Sequence, residues 1–110
     1  MIIRTKRLII KNSSLLTNIF TIRLKDKTIG QITICGSNIG WSCDKEYRNN
    51  GYITEAAKAF IEHEFKVNKK HKITAICVID NTPSERVMQK IGMKFTKQTN
   101  NMRCYEIINE

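Results

Sequence analysis

A mixed α/β domain with a mostly antiparallel sheet is the fold this sequence predicts, and three observations predict it. Residues 2–43 carry short β-branched stretches parted by turn residues, the pattern of strands and hairpins. From Ile53 the period changes to three and four residues, the spacing of an amphipathic helix laid on a sheet. The almost unbroken apolar run from Ile73 to Ile79 then suits a central strand covered on both faces, and a second helix follows it.

In chain order, Ile2 to Ile10 reads as a first strand, its β-branched residues and Leu8 mixed with Arg4 and Lys6. Lys11 to Leu16, with Asn12, Ser13 and Ser14, reads as a loop. Asn18 to Lys25 alternates apolar and polar, and Asp26-Lys27 is a turn into Thr28 to Cys35, which makes an antiparallel hairpin. Gly36-Ser37-Asn38 is a second tight turn before a fourth strand through Ile39, Trp41 and Cys43. Ile53, Ala56, Ala57, Phe60, Ile61 and Phe65 form the apolar stripe of the first helix. Asp80 to Ser84 opens the second, with Asn81 or Thr82 as cap and Pro83 in the first turn, and Gly92 ends it. Phe95 to Thr99 and Met102 to Ile108 make a last hairpin around Asn100-Asn101. The order is four strands, helix, strand, helix, two strands.

A chain of 110 residues bounds this to one domain, residues 1–110, with a single core. No apolar run reaches the length that crosses a bilayer, and the first residues lack a signal peptide's order of charge, apolar core and cleavage site. A cytoplasmic protein with no membrane partner is the expectation. Cys35, Cys43, Cys77 and Cys104 are far apart, form no C-x-x-C pair and lie in apolar strand-like segments, so buried free thiols are expected and no metal. The formal charge of +9, from 19 Lys and Arg against 10 Asp and Glu, points to an acidic partner: a nucleotide cofactor, RNA or an acidic protein. Asn68-Lys69-Lys70-His71-Lys72, its one short cluster, reads as a solvated loop.

The stretch from Tyr47 to Ala56 stands at the mouth of the first helix. Asn49, Asn50 and Gly51 tolerate left-handed backbone, so successive N–H groups can face one way and meet the positive end of the helix. Such a turn is an anion site, and the alternative is an ordinary loop and helix start.

Taken in order, Thr5 to Lys11, Ile29-Gly30, Ile39-Gly40-Trp41, Arg48 to Ala56, Asn81-Thr82-Pro83-Ser84 and Lys90-Ile91-Gly92-Met93 resemble the GNAT N-acetyltransferase superfamily. Within it they are similar to the branch of the ribosomal-protein alanine N-acetyltransferases, and the resemblance covers nearly the whole chain. It implies a GNAT-like sheet with a V-shaped splay between two central strands, flanked by helices, and acetyl-CoA as cofactor. The amides of Arg48, Asn49, Asn50, Gly51, Tyr52, Ile53 and Thr54 would hold its pyrophosphate, with Arg48 reinforcing them. The pantetheine arm would lie between the strand ending in Trp41, Ser42 and Cys43 and the strand around Val78. Asn81 would bond the arm, with Val87 and Lys90 alongside; as a residue, Asn81 reads equally as a helix cap.

The sequence departs from the family pattern at three points. Ile53 takes the place of the last small residue of the phosphate loop. Asn38 stands where this branch often has a carboxylate base, and Met88 where many relatives have a tyrosine acid. Ser84 is then the candidate acid, with Tyr105 as the nearest alternative. The two helices that wall the acceptor cleft of relatives are missing, for only Lys11 to Thr17 joins the strands on either side. The function implied is transfer of acetyl from acetyl-CoA to a primary amine, an α-amino group of a protein, peptide or RNA-linked acceptor, with a homodimer closing the open groove. The alternatives are a catalytically impaired acyl-CoA-binding protein and a small basic RNA-binding domain.

Overall fold

The computed structural model describes residues 2–12 and 18–110. Eight strands and two helices follow one another as β1 (Ile2–Arg4), β2 (Leu8–Asn12), β3 (Ile19–Leu24), β4 (Lys27–Cys35), β5 (Asn38–Cys43), α1 (Tyr52–Lys66), β6 (Lys72–Val78), α2 (Thr82–Lys90), β7 (Lys94–Thr99) and β8 (Met102–Ile108). All strands join one sheet in the order β1-β2-β3-β4-β5-β6-β8-β7. Every neighbouring pair is antiparallel except β5 and β6. The expected fold class is the one observed.

The segment expected as one strand from Ile2 to Ile10 is two. Thr5 breaks it: its N–H donates to the Leu8 carbonyl at 2.9 Å, and its hydroxyl accepts from the Leu8 N–H at 3.0 Å. The chain therefore turns at Thr5-Lys6-Arg7 and pairs with itself, Ile3 opposite Ile10. Five strands, not four, precede α1. Lys11 and Asn12, expected in a loop, continue β2, where they pair with Thr21 and Phe20. The rest of that loop, from Ser13 to Thr17, lies outside the described residues. The first of the next two turns sits one residue earlier than expected, at Lys25, with φ 57°, and Asp26; the second starts at Gly36 as expected but is one residue shorter, since Asn38 belongs to β5.

The core lies between one sheet face and the helices. Ile10, Ile22, Ile32, Ile39, Ile73 and Ala75 are buried from the sheet, and Ala56, Ala57 and Phe60 meet them from α1. Phe60 sets its ring against Phe20 with centroids 4.8 Å apart, and Met88 brings α2 into the same cluster. β6 is not covered on both faces. Ile73, Ala75 and Cys77 are buried, whereas Ile76 and Val78 are 48% and 51% exposed. Its apolar run reflects β propensity and a one-sided core, because both helices pack into the cluster on the other face. Of the four thiols only Cys77 is buried; Cys35 ends β4 at the rim and is exposed. Lys70 is not simply solvated, since its ammonium donates to the Gly36 carbonyl at 2.8 Å and stands 4.0 Å from the buried Glu64 carboxylate.

Gly30 in β4 faces Cys43 at the end of β5. A Cβ there would stand 2.3 Å from the Ser42 carbonyl oxygen, so the missing side chain lets β5 lie close against β4. The obstacle is backbone and cannot rotate away. Gly30→Ala is expected to destabilise the fold by about 1–3 kcal/mol, the usual cost of overpacking. Urea unfolding that leaves the midpoint in place would contradict this close approach.

Candidate acyl-CoA site

The parallel ladder between β5 and β6 is a single residue pair, Asn38 opposite Thr74. Thr74 fixes that apex: its N–H donates to the Ser37 carbonyl at 2.8 Å, and its hydroxyl stands 3.2 Å from the Asn38 side-chain oxygen. Beyond it the strands part. A cavity of about 270 Å³ opens between them, with Gly40 and Trp41 on one arm and Ile76, Cys77 and Val78 on the other. Asn81, Ser84 and Met88 reach it from α2. Parted parallel strands leave main-chain donors and acceptors facing a gap rather than each other, which suits a slender ligand rich in amides.

The mouth of α1 lies past the end of β5. Asn49 and Gly51 both take left-handed backbone, φ 65° and 78°, and Gly51 is the helix N-cap. No side chain caps the helix. The first intrahelical bond runs from the Glu55 N–H to the Gly51 carbonyl, so the N–H groups of Tyr52, Ile53 and Thr54 have no helical partner. Asn50 turns inward, its amide donating to the carbonyls of Tyr47 and Arg48. Arg48 donates from Nε to the Cys43 carbonyl at 3.0 Å, which ties the turn to the end of β5. Ile53 is half-buried against the core, so its bulk is turned inward rather than over the amides. An uncapped helix start behind two left-handed residues fits a phosphate group.

The residues expected to act together divide into two groups. Trp41, Asn81 and Ser84 line the cavity, while Arg48 to Thr54 form the helix mouth. Ser42 and Cys43 connect the two along β5. Asn81 is the cap of α2, its side-chain oxygen accepting from the Ser84 N–H at 3.3 Å, which leaves its NH2 end as the donor. Val87 packs half-buried on the core and Lys90 is exposed at the end of α2; neither lines the cavity. Tyr105 does not reach it either. Its ring is buried and its hydroxyl donates to Glu85 at 2.5 Å. Burial and that hydrogen bond push the Tyr105 hydroxyl up. Cys77 is pushed up by burial first and by the Glu85 charge second, so its thiol stays protonated at neutral pH.

Two carboxylates have roles that periodicity did not reveal. Glu85 accepts from Arg103 at 2.9 Å as well as from Tyr105, which seats α2 on β8. Glu55, on the first turn of α1, accepts from the Thr5 hydroxyl at 2.5 Å and from Arg7 Nε at 2.7 Å. Burial acts to raise the Glu55 carboxyl, but the bonds from Thr5 and Arg7 outweigh it and hold the group below the usual range. The signal in sequence was the pairing of a Thr-x-Arg turn with an acid on the first turn of a helix, and it spans 48 residues.

The acetyltransferase (GNAT) domain matches residues 3–94, and the chain belongs to that family. It is 50% identical over 56 residues to the uncharacterized N-acetyltransferase YnaD of Bacillus subtilis, a match of 51% of this chain and 33% of that protein. A second curated relative from the same organism, the uncharacterized N-acetyltransferase YjdG, is 35% identical over 54 residues, 49% of this chain and 32% of that protein, so the match spans about a third of the length of either relative. Among solved structures, a GNAT-family acetyltransferase from Bacillus anthracis superposes with a TM-score of 0.88 at 26% identity, covering 99% of both chains. The RimL ribosomal L7/L12 α-N-protein acetyltransferase in complex with coenzyme A shares the fold, with a TM-score of 0.84 at 12% identity over 98% of both chains.

Because the folded Glu55 carboxyl is depressed, its contribution to stability is full above the unfolded carboxylate range and is lost as pH falls through the lower folded value. Wild type should therefore exceed Glu55→Gln in unfolding free energy at neutral pH, with the gap closing in acid. Chemical denaturation across pH checks this, and a gap independent of pH would contradict it.

Proposed function

We propose that this chain is an N-acetyltransferase that moves the acetyl group of acetyl-CoA to a primary amine, the α-amino group of a protein, peptide or RNA-linked acceptor. The observation that carries the reading is the uncapped, left-handed start of α1 standing at the end of a strand that parts from its neighbour. Family membership supports it, as does coenzyme A in the complexed relative of the same fold. The helix-mouth amides with Arg48 would take the pyrophosphate, and the β5 and β6 edges would take the pantetheine arm, with the Asn81 NH2 donating to it. Bound acetyl-CoA supplies a thioester carbonyl as electrophile and a thiolate as leaving group. Backbone N–H groups near Cys43 polarise that carbonyl, and the cleft sets the amine in line with it.

Ser84 is the protic group on the cleft wall from α2, and it gives its proton to the departing sulfur. Tyr105 holds Glu85 instead. The cavity lining contains no carboxylate among the described residues, so the amine's proton leaves through water. The formal charge of +9 repels free polyamines and steers in an amine carried on an acidic or RNA-bound partner. The cleft lacks the helix pair that relatives place between the second and third strands, and a homodimer would supply that wall.

A second reading, a catalytically impaired acyl-CoA-binding protein, is favoured by that same lining, in which Met88 takes the place of a protic residue. One assay separates the two: release of free coenzyme A thiol from acetyl-CoA in the presence of amino acids, polyamines, peptides and aminoacyl-tRNA. Turnover on peptides or aminoacyl-tRNA above spermidine is expected, and spermidine as the best acceptor would defeat the acceptor assignment. Measurable cofactor binding with silence on every acceptor selects the binding-only reading. Gly51→Asp, which adds a Cβ and a carboxylate at the helix mouth, should abolish binding of acetyl-CoA in calorimetry. Ser84→Ala should lower kcat at least about tenfold with KM for acetyl-CoA nearly unchanged, and unchanged turnover would remove Ser84 from the mechanism.

A further inference from the structure

We infer that the β1–β2 turn is a clasp that sets the phosphate loop, with Arg7 and Glu55 as positioning residues for the phosphoryl end of acetyl-CoA. The inference rests on the proposed reading of that loop. Arg7 is fixed on several sides. Its Nε donates to Glu55 Oε1 at 2.7 Å, its main-chain N–H donates to Glu55 Oε2 at 3.0 Å, and its guanidinium carbon lies 4.4 Å from the centre of the Tyr52 ring. Thr5 holds the same carboxylate from the other end of the turn at 2.5 Å. What the fixed guanidinium then reaches is the loop itself: Nη1 donates to the Asn50 carbonyl at 3.1 Å.

That last bond decides a direction. The peptide between Asn50 and Gly51 is trans and planar, so pinning its carbonyl toward Arg7 points the Gly51 N–H the opposite way. Gly51, at φ 78°, has no Cβ to oppose rotation of this peptide, and the helix has no side-chain cap to hold it. A flipped peptide would present a carbonyl oxygen where the loop has to present an N–H, and an oxygen repels a phosphate. Arg7 blocks the flip, and Glu55 blocks the movement of Arg7. The guanidinium acts through the peptide rather than on the ligand. Glu55, 48 positions from Arg7, reaches this peptide only through the guanidinium it holds.

The test is a double-mutant cycle on acetyl-CoA binding, measured by calorimetry well below the lowest ligand-free melting midpoint. Arg7→Met and Glu55→Gln should each weaken binding about tenfold, and the double variant should be no weaker than either single, because both remove one device. Arg7→Lys, which keeps the charge but lacks the planar fork that serves Glu55 and Asn50 together, should be as weak as Arg7→Met. It also keeps the cycle readable where Arg7→Met fails to fold. Additive losses would overturn the clasp. So would full affinity in Arg7→Lys or in Glu55→Gln, either of which would make Arg7 a simple charge near the ligand. Wild-type binding with all variants unchanged sinks this inference alone, whereas a wild type that binds no acetyl-CoA sinks the functional reading beneath it.

Discussion

The site depends on the failure of one ladder to continue. β5 and β6 are parallel neighbours that pair only at Asn38 and Thr74, and each arm of the resulting V is held by its outer neighbour. β5 is laddered to β4 from Cys35–Asn38 out to Gly30–Cys43, and the bare Gly30 lets its far end settle against that strand. Asp44 extends the attachment, its N–H donating to the Ile29 carbonyl at 2.8 Å. β6 is laddered to β8 along its whole length, from Lys72–Ile108 to Val78–Met102. Two strong antiparallel attachments pull apart one weak parallel contact, and the sheet opens where it is least stable per residue.

The helices that border the opening are seated by the same device used twice. Glu55 is the fourth residue of α1 and Glu85 the fourth of α2, so each carboxylate also sits near the positive end of its helix. Glu55 is held by Arg7 and the Thr5 hydroxyl, and Glu85 by Arg103 and the Tyr105 hydroxyl. In each case an arginine and a hydroxyl on a hairpin lock the first turn of a helix, and the first turn carries groups of the proposed site: the amides of α1 without a helical partner, and Asn81 with Ser84 at the start of α2. Both pairs are partly exposed, with side-chain exposures of 40% and 21% for the first and 39% and 14% for the second. Their value is therefore geometric more than energetic.

Much of this was legible in the sequence because it follows from short-range pattern. The stripe from Ile53 to Phe65, the cap at Asn81 with Pro83 behind it, and the final hairpin are local, and each formed within a residue or two of expectation. What periodicity could not show was which apolar run has two covered faces. Ile73 to Ile79 looks the same whether or not a helix lies over Ile76 and Val78, and that is decided by elements elsewhere in the chain. The break at Thr5 was hidden for a similar reason: the residues around it favour strand, and the turn is stabilised by a hydroxyl bond to Leu8 and by Glu55, far away in sequence. The candidate site divided along the same line. The helix mouth could be read from Asn49, Asn50 and Gly51, whereas the removal of Tyr105 from the cleft depends on a partner in α2.

The groups that border the cleft restrict what chemistry it can do. The Cys77 thiol is kept protonated by burial, Asn38 offers an amide, and the nearest carboxylate on α2, Glu85, is occupied by Arg103 and Tyr105 and held below the usual range, first by the tyrosine bond. None of these is a strong base. Under the proposed acetyl transfer, such a site would act chiefly by holding an already deprotonated amine and a polarised carbonyl in line, which is the contribution that positioning alone supplies. That places the burden on the rigidity of the two arms and of the loop behind them. The charged pairs nearby, Arg7 with Glu55 and Arg103 with Glu85, serve the starts of the helices rather than the cleft, whose lining carries no charged side chain among the described residues.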